Sequence, residues 1–422
     1  MEKYGETISI DTLNIRTPGY VNRRIHKSIA QKGWQEIWIE FDPDLPGYPN
    51  ICAPIAGLLD HYRDEGVSVE CCWKGVDRAN GQRKTYLQHT MFDSPKTVRE
   101  HIENGGLVRP LDVVWKYSDS VEVNALVNSV VQEMLAKTSL ESGVISGIEW
   151  CLNEVMDNVL QHSVSGIGYF MASYQPGNHI LSICVYDNGV GILNSFSASV
   201  HNPNSALDAI TMALQERVTR DEHIGQGNGM WGMSEIVQKN GGSFKVVSHG
   251  ASYSYEHGRS LTEEQNEGVS FFDRKLGTTL VDFQLYCNRE IDIAVALKGY
   301  EPTLLWLEDL ESPSGDDVII SIAGLSEGTG TRKAGEKLRT YVLNVMKESK
   351  KRVVLDFQGV TLVSSSFADE LIGKMVIEIG FSVFNQFVVI GNLSKSNKYV
   401  VDKSVQQRMA QTYYDSTIPD IE

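Results

Sequence analysis

Hydrophobic residues recur along the chain with two spacings, which alternate in the first hundred residues. Period-two alternation is typical of strands, and i, i+3, i+4 spacing is typical of helices. The predicted elements, in chain order, are a strand over 8–15, a helix over 21–32, a strand over 34–41, a helix over 52–64 and a strand over 67–72. Strands that alternate with helices indicate a sheet covered by helices.

The same order of elements returns near the end of the chain. The predicted elements there are strands over 318–322, 352–357 and 387–390 and helices over 332–347 and 367–379. We therefore interpret the two ends as similar modules. This interpretation rests on the order of elements and not on residue identity.

The middle region has longer helices and more strands. Its predicted elements are strands over 111–116, 169–174, 180–187, 244–248 and 279–285, and helices over 121–137, 142–161, 202–218 and 233–240. Asn202 and Pro203 form the expected start of the third helix. A polar stretch, 249–268, predicts a hairpin excursion. The predicted domains are 1–108, 109–290 and 291–422.

Composition and charge narrow the function classes. The chain has 422 residues, which suggests about three domains, and its net charge is −16. We therefore expect no nonspecific binding to nucleic acid or to anionic membranes. The six cysteines lack metal-ligand spacing, and neither a signal segment nor a membrane-length apolar run is present. These features predict reduced thiols and a cytoplasmic location.

Candidate chemistry begins on the second long helix of the middle region. Glu154 and Asn158 are four residues apart and share one helix face. An amide oxygen suits Mg²⁺, which takes few ligands from protein, so Asn158 is the candidate metal ligand. Glu154 is placed to act as a general base near a terminal phosphate. The alternative is an ordinary polar face on a surface helix.

A second candidate group follows an apolar strand. Asp187 ends this strand and precedes Gly189 and Gly191. A carboxylate there can accept a hydrogen bond from an adenine amino group, and the glycines leave room for the base. The alternative is a simple Asp-Asn-Gly turn.

The third candidate group is rich in glycine and precedes a helix. Its members are Gly225, Gly227, Gly229 and Gly232. Exposed backbone N–H groups and a helix N-terminus favour phosphate, although the segment is neither a Walker A loop nor a dinucleotide fingerprint. A flexible lid is the alternative. Downstream, the hydroxyls of Thr278 and Thr279 can reach a buried ring or its water.

Taken in order, these segments resemble the motifs of the GHKL ATPase superfamily. Residues 153–158 are similar to its N-box, 187–191 to its G1 box, 225–232 to its G2 box and 277–279 to its last motif. The resemblance implies Glu154 as general base, Asn158 as Mg ligand, Asp187 as adenine contact and 192–229 as a mobile lid. It is closest to the anti-sigma-factor serine kinases, and His162 is not expected to accept phosphate.

Residues 355–367 resemble the STAS domain of anti-anti-sigma factors. Ser365 falls on the position that a GHKL partner phosphorylates, while Ser364 and Phe367 stand where the family has an acid and a glycine. Helix capping by these serines is the alternative. The corresponding turn of the N-terminal module, 50–54, has no hydroxyl and is not expected to accept phosphate.

The expected fold is an α/β and α+β multidomain protein, with a central GHKL (Bergerat) α/β sandwich between two STAS-like α/β modules. The expected function is an ATP- and Mg-binding regulatory switch in signalling. Two alternatives stay open: a serine kinase that acts on a separate STAS partner, and a scaffold for stress or antiviral signalling that binds ATP without hydrolysing it. Expected partners are ATP and a protein bound by the STAS-like modules, with a second copy of the chain as a candidate.

Overall fold

In the computed structural model, three β-sheets form within the described residues. These residues are 5–11, 23–74, 89–105, 109–162, 166–196, 202–216, 229–264, 277–325 and 328–417. The mixture of helices and sheets confirms the predicted mixed α/β class. Compactness divides the chain into two units. Unit 1 comprises Met1–Val130, Gly147–Cys287 and Ile291–Glu301, and unit 2 comprises Val131–Ser146, Asn288–Glu290 and Pro302–Glu422. The predicted division into three domains stays a prediction.

The first sheet has three parallel strands in sequential order. They are β1 (Glu6–Ile10), β2 (Glu36–Phe41) and β3 (Ser68–Trp73). A π-helical turn, Lys27–Gln31, ends the predicted first helix, and α1 (Pro49–Asp64) joins β2 to β3. The first strand was predicted to end at residue 15, but β1 ends at Ile10. Residues 12–15 of the predicted strand lie outside the described residues.

The second sheet has eight described strands in the order β10-β9-β8-β11-β7-β6-β5-β4. The strands are β4 (Lys96–Thr97), β5 (Trp115–Tyr117), β6 (Gly168–Gln175), β7 (Ile180–Asp187), β8 (Ser243–Ser248), β9 (Ala251–Glu256), β10 (Arg259–Glu264) and β11 (Thr279–Tyr286). The predicted strand over 111–116 starts only at Trp115, because Asp112 has a left-handed φ of 62°. The predicted polar excursion contains the hairpin of β9 and β10.

The described helices of the middle region include the four predicted ones, with shifted ends, and four short ones that were not predicted. They are α2 (Val98–Glu103), α3 (Ser120–Lys137), α4 (Val144–His162), α5 (Gly191–Ser195), α6 (Ala206–Ala213), α7 (Gly229–Asn240), α8 (Ile293–Ala296) and α9 (Leu305–Glu308). The prediction that Asn202 caps the third helix was wrong. The cap is Ser205, whose side chain accepts a hydrogen bond from the backbone N–H of Asp208.

Helix α1 lies against the eight-stranded sheet as well as against the first sheet. It is buried on nearly every side from Ile51 to Leu59, and its core cluster continues into Tyr169, Met171 and Tyr186 of the larger sheet. A helix that is apolar all round is typical of one buried between two layers. The first sheet and the second sheet therefore share one core within unit 1.

The third sheet belongs to unit 2 and is again parallel and sequential. Its strands are β12 (Asp317–Ser321), β13 (Arg352–Asp356) and β14 (Val388–Gly391). Its helices are α10 (Ile322–Leu325), α11 (Arg332–Ser349), α12 (Ser365–Ala368), α13 (Lys374–Ile379), α14 (Phe381–Phe387) and α15 (Lys395–Thr417). A π-helical turn, Asp369–Gly373, joins α12 to α13. The last helix, α15, was not predicted.

The turn between α3 and α4 also belongs to unit 2, where polar side chains of α11 hold it. Buried Asn344 accepts from the backbone N–H of Leu140 at 2.9 Å and donates to the carbonyls of Leu135 and Thr138, each at 2.7 Å. Glu348 accepts from the N–H of Gly143 at 2.9 Å and from the Ser146 side chain. These bonds satisfy backbone groups that the ends of two helices would leave unpaired.

Candidate functional site

Helix α4 presents Glu154 and Asn158 on one face because its apolar residues occupy the other. The stripe of Ile148, Cys151, Leu152, Val155 and Val159 is buried. Glu154 and Asn158 are both partly exposed, one helical turn apart. The predicted pairing of a carboxylate and an amide on one helix face is therefore present.

The start of α7 lies against these two side chains. A β-carbon placed on Gly229 would overlap the Glu154 carboxylate and would lie 3.6 Å from Asn158 Nδ2. Only a residue without a side chain permits this approach without displacement. The structure thus brings the end of the predicted glycine-rich segment to the predicted catalytic helix.

Burial changes the acid–base behaviour of Glu154. Loss of solvent, together with the smaller effect of the neighbouring negative charge of Asp157, raises the pKa of this carboxyl to about 7. A carboxyl with a pKa near neutrality can exchange a proton at ordinary pH, which suits a general base.

Asp187 ends β7 as a buried carboxyl, with 6% of its surface exposed. Its Oδ1 accepts a hydrogen bond from the backbone N–H of Gly189 at 2.7 Å. Burial raises the pKa of Asp187 to about 7, although the Gly189 N–H and the Thr279 side chain act in the opposite direction. A buried carboxyl with only local partners has hydrogen-bonding capacity left for a ligand.

Residues from five strands line up beside Asp187. The row across the sheet consists of Tyr117, Gly168, Asp187, Thr279 and Ser248. Residues paired in this way share a sheet face. Burial raises the pKa of the Tyr117 phenol, and the charges of Asp187 and Asp157 add to this effect. Tyr117 therefore lies close to both α4 and the end of β7.

Sequence reasoning missed Tyr117. The phenol is fully buried, and its hydroxyl has no hydrogen-bond partner among the described residues. A β-carbon on Gly168 would overlap the Tyr117 ring. The pairing of Gly168 with Tyr117 shows that the tyrosine ring lies over the glycine, but this pairing is known only once the strand register is known.

The turn after Asp187 is closed by a second missed residue, Ser248. Its hydroxyl accepts from the N–H of Ile192 at 3.0 Å and donates to the carbonyl of Thr278 at 3.0 Å. Gly191 has a φ of +73°, and a β-carbon there would overlap the His249 ring. A polar residue at the end of the apolar strand β8 was the available signal.

The two predicted threonines lie on opposite sides of the sheet. Thr279 is in register with Asp187. Thr278 is buried and approaches the phenol of Tyr186, whose ring contacts the α1 side of the sheet. The backbone at Gly277 passes so close to the Val190 carbonyl that a β-carbon would overlap it. The Thr279 hydroxyl therefore lies on the same face of the sheet as Asp187, and the Thr278 hydroxyl does not.

Four glycines were predicted to form the phosphate-binding loop. Gly225 and Gly227 lie outside the described residues. Gly229 and Gly232 lie in helix α7 instead of in a loop, which corrects the predicted helix start at residue 233. The physical reason at Gly232 is close packing, because a β-carbon there would overlap the Trp150 ring.

The predicted lid, 192–229, is described only in part. Its described elements are the last residues of α5, the helix α6 and the first residue of α7. Within the described residues no group of three His, Cys, Asp or Glu side chains could hold a metal ion. A metal at this site would take an oxygen from Asn158 and its other ligands from phosphate and water.

Ser365 lies at the first residue of α12 in unit 2. The neighbouring Ser364 caps the helix, since its Oγ accepts from the N–H of Phe367 at 3.1 Å. Ser364 also bonds Ser366 Oγ at 3.1 Å. Ser365 is exposed. Capping therefore occupies Ser364 and leaves the predicted acceptor hydroxyl accessible.

Comparison with known proteins assigns one part of the chain. Residues 334–398 match the family described as a STAS-like domain of unknown function (DUF4325). The match runs from α11 into the first residues of α15 and contains Ser365, so a STAS-like domain over these residues is confirmed. No curated protein matches the chain. No described helix is both long and apolar enough to cross a membrane.

Proposed function

We propose that the chain is a Mg-ATP-binding regulatory switch with a GHKL-type ATPase or serine-kinase core. The observation that carries this proposal is the approach of Gly229 to Glu154 and Asn158. Two segments that are far apart in sequence supply a carboxyl of raised pKa, an amide and the first described turn of helix α7 at one place. Such a set suits a bound phosphate and the activation of an attacking group.

The base of the nucleotide would lie at Asp187. Its buried carboxyl can accept from an adenine amino group, and the shared row supplies the hydroxyl of Thr279 and the phenol of Tyr117. Gly168 and Gly191 allow the rings of Tyr117 and His249 to lie close to the backbone in this part of the sheet. An amino group is the feature that distinguishes adenine from a ring with a carbonyl at that position, so we expect ATP to bind more tightly than GTP.

Asn158 would hold the metal through its side-chain oxygen. A bound Mg²⁺ supplies charge neutralisation at the terminal phosphates. Glu154 would orient and deprotonate the attacking water or hydroxyl, and its raised pKa keeps it competent near neutral pH. The same geometry serves hydrolysis and transfer to serine, because the two reactions differ only in the attacking oxygen.

Thermal unfolding with and without Mg-ATP tests the binding proposal. At about 100 times the dissociation constant, ATP should add about 2.7 kcal/mol to the free energy of unfolding. Asp187→Asn should lose most of this gain, because the amide oxygen is an uncharged and weaker acceptor than the carboxylate. The exposed Asp309→Asn is the matched control and should keep it. A full gain in Asp187→Asn would remove Asp187 from the site.

A second candidate function is serine phosphorylation. The observation that favours it is the exposed Ser365 within the confirmed STAS-like domain, beside a serine that already caps the helix. The acceptor would be Ser365 of this chain or the equivalent serine of a separate STAS partner. Transfer of label from ATP to protein, compared with release of phosphate into water, distinguishes this function from an ATPase switch.

A further inference from the structure

Asn188 follows Asp187 in the candidate adenine turn, but its side chain is used on the other side of the sheet. Neighbouring strand residues point to opposite faces, and Asn188 shares its face with Tyr186. Its Oδ1 accepts from the Tyr186 hydroxyl at 2.6 Å, and its Nδ2 donates to the carbonyl of Gly57 at 2.7 Å. Gly57 lies in the middle of α1. One amide therefore joins the turn to a helix of the N-terminal module.

The helix is shaped for this contact. A β-carbon on Gly57 would overlap the rings of Tyr186 and Tyr169, so glycine allows the α1 backbone to lie directly on the sheet. One turn later, Asp60 accepts from Lys116 Nζ at 2.9 Å and from the Tyr169 hydroxyl at 3.1 Å. Asp60 anchors α1 to the neighbouring strands β5 and β6, whereas Asn188 anchors it to the candidate nucleotide turn.

The Asn188 bonds lie within an apolar contact between α1 and the sheet. The groups around them belong to the shared hydrophobic core, which includes Ile55, Leu58 and Tyr186. A hydrogen bond in such surroundings is directional, and its loss costs more than the loss of a bond that water can replace. Any displacement of the Asn188 backbone must therefore move the α1 carbonyl or break this bond.

We propose that Asn188 is a positioning residue that couples occupancy of the Asp187 turn to the N-terminal module through α1. The proposal rests on the proposed nucleotide site, since a ligand bound to Asp187 fixes the backbone from which the Asn188 side chain extends. Coupling between two sites is reciprocal. A change on α1 at Gly57 must then alter nucleotide affinity, although Gly57 lies on the opposite face from the ligand.

Backbone hydrogen exchange of the full-length protein without nucleotide tests the coupling directly. Asn188→Ala should speed exchange in α1 around Gly57, and Gly57→Ala should speed exchange in the Asp187 turn. The matched controls are Asn178→Ala and Gly177→Ala in the exposed turn at the other end of the β6–β7 hairpin, which should change neither segment. Tyr186→Phe removes a single hydroxyl and should act like a weaker Asn188→Ala if either larger change prevents folding.

Mg-ATP affinity of the same variants separates coupling from a structural role. Gly57→Ala and Asn188→Ala should weaken binding by about 5-fold or more, and wild-type α1 should exchange more slowly with Mg-ATP than without it. Unchanged exchange in the Asp187 turn of Gly57→Ala together with wild-type affinity would overturn the coupling. If wild type binds no ATP, the nucleotide proposal and this inference about occupancy both fail, whereas binding without α1 protection overturns the coupling alone.

Discussion

The Asp187 carboxyl makes folding depend on pH in a direction opposite to that of a salt-bridged acid. Its pKa is raised from 3.8 to about 7 by burial, so the folded protein holds a proton that the unfolded chain releases. The stability from this group is fully present below the unfolded pKa and is lost as pH rises through the folded pKa. Asp187→Asn has no such titration.

We therefore expect the free energy of unfolding of Asp187→Asn, relative to wild type, to increase from pH 5 to pH 8. A pKa difference of this size corresponds to an increase on the order of 3 kcal/mol over that interval. Denaturant unfolding of both proteins without nucleotide at the two pH values measures it. A difference that does not change with pH would show that Asp187 is ionised in the folded protein throughout this range.

Glu154 gives a second prediction, about the rate of ATP turnover. A general base must be ionised, so the rate should rise between pH 6 and pH 8 with a midpoint near its pKa of about 7. Glu154→Gln should bind ATP and lose about 10²–10⁴-fold in turnover. Asp157→Asn should move the midpoint to lower pH by removing a neighbouring negative charge. The control is Glu133→Gln, at a partly exposed glutamate on α3 that pairs with Lys137. Unchanged turnover in Glu154→Gln would leave α4 with a structural role.

Functional residues were predictable from the sequence where their position relative to nearby residues indicates a role. Glu154 and Asn158 were chosen because they share one helix face, and Asp187 was chosen because it ends an apolar strand before a glycine turn. The structure brings Gly229 to the first two. Tyr117 and Ser248 were not predictable in this way. Their proximity to Asp187 follows from the pairing of strands that are distant in sequence, and no local spacing encodes that register.

At the scale of elements, Asn344 gives a third prediction. This residue lies on the otherwise apolar face of α11 and makes three hydrogen bonds to the turn between α3 and α4. Asn344→Ala would leave a buried N–H and two carbonyls without that partner, at a cost of about 1–3 kcal/mol for an unpaired buried group. The partly exposed Thr340, one turn earlier on the same helix, donates to the carbonyl of Glu336 within that helix, and Thr340→Ala should cost less than about 0.5 kcal/mol.

Denaturant unfolding monitored by circular dichroism measures both variants. Equal stability of Asn344→Ala and Thr340→Ala would mean that water replaces the Asn344 bonds and that α11 does not fix the turn. Asn344→Asp is a useful intermediate, since its carboxylate keeps the acceptor for Leu140 and loses the donor to Leu135 and Thr138.

Helix positions were predictable from apolar spacing, but several ends were not. Helix α7 already includes Gly229 and Gly232, which lie before its predicted start, and both glycines are closely packed. Glycine normally weakens a helix, so propensity predicted a loop. Helix α15 was missed because its 23 residues have little apolar periodicity, and its contacts with the rest of unit 2 stabilise it instead.

For the whole molecule, the order of elements predicted two similar ends, and both have three parallel strands in sequential order. The shared core of α1 and the larger sheet was not predicted. Its signal was the nearly continuous apolar run over 51–59, which suits a helix covered on two sides and not an amphipathic one. The alternation of strands and helices predicts that a helix packs on its own sheet. It does not predict that the other face of that helix packs on a second sheet.

The last prediction concerns phosphate transfer between copies of the chain. If the core phosphorylates Ser365, wild type incubated with Mg-ATP should yield a phosphopeptide containing Ser365, and Ser365→Ala should not. Ser364→Ala is a separate control, because it removes the helix cap and keeps the exposed acceptor. Glu154→Gln alone should stay unmodified, since its base is absent.

Mixing Glu154→Gln with Ser365→Ala distinguishes transfer within one chain from transfer between chains. The first variant has an intact acceptor and the second an intact core, so phosphate on Ser365 can arise only when one copy modifies another. The transfer should then depend on protein concentration, whereas transfer within a chain leaves the mixture unlabelled although wild type is labelled. A Ser365 peptide that is unmodified in wild type, with ATP hydrolysis intact, would assign the core to hydrolysis instead of transfer to this serine.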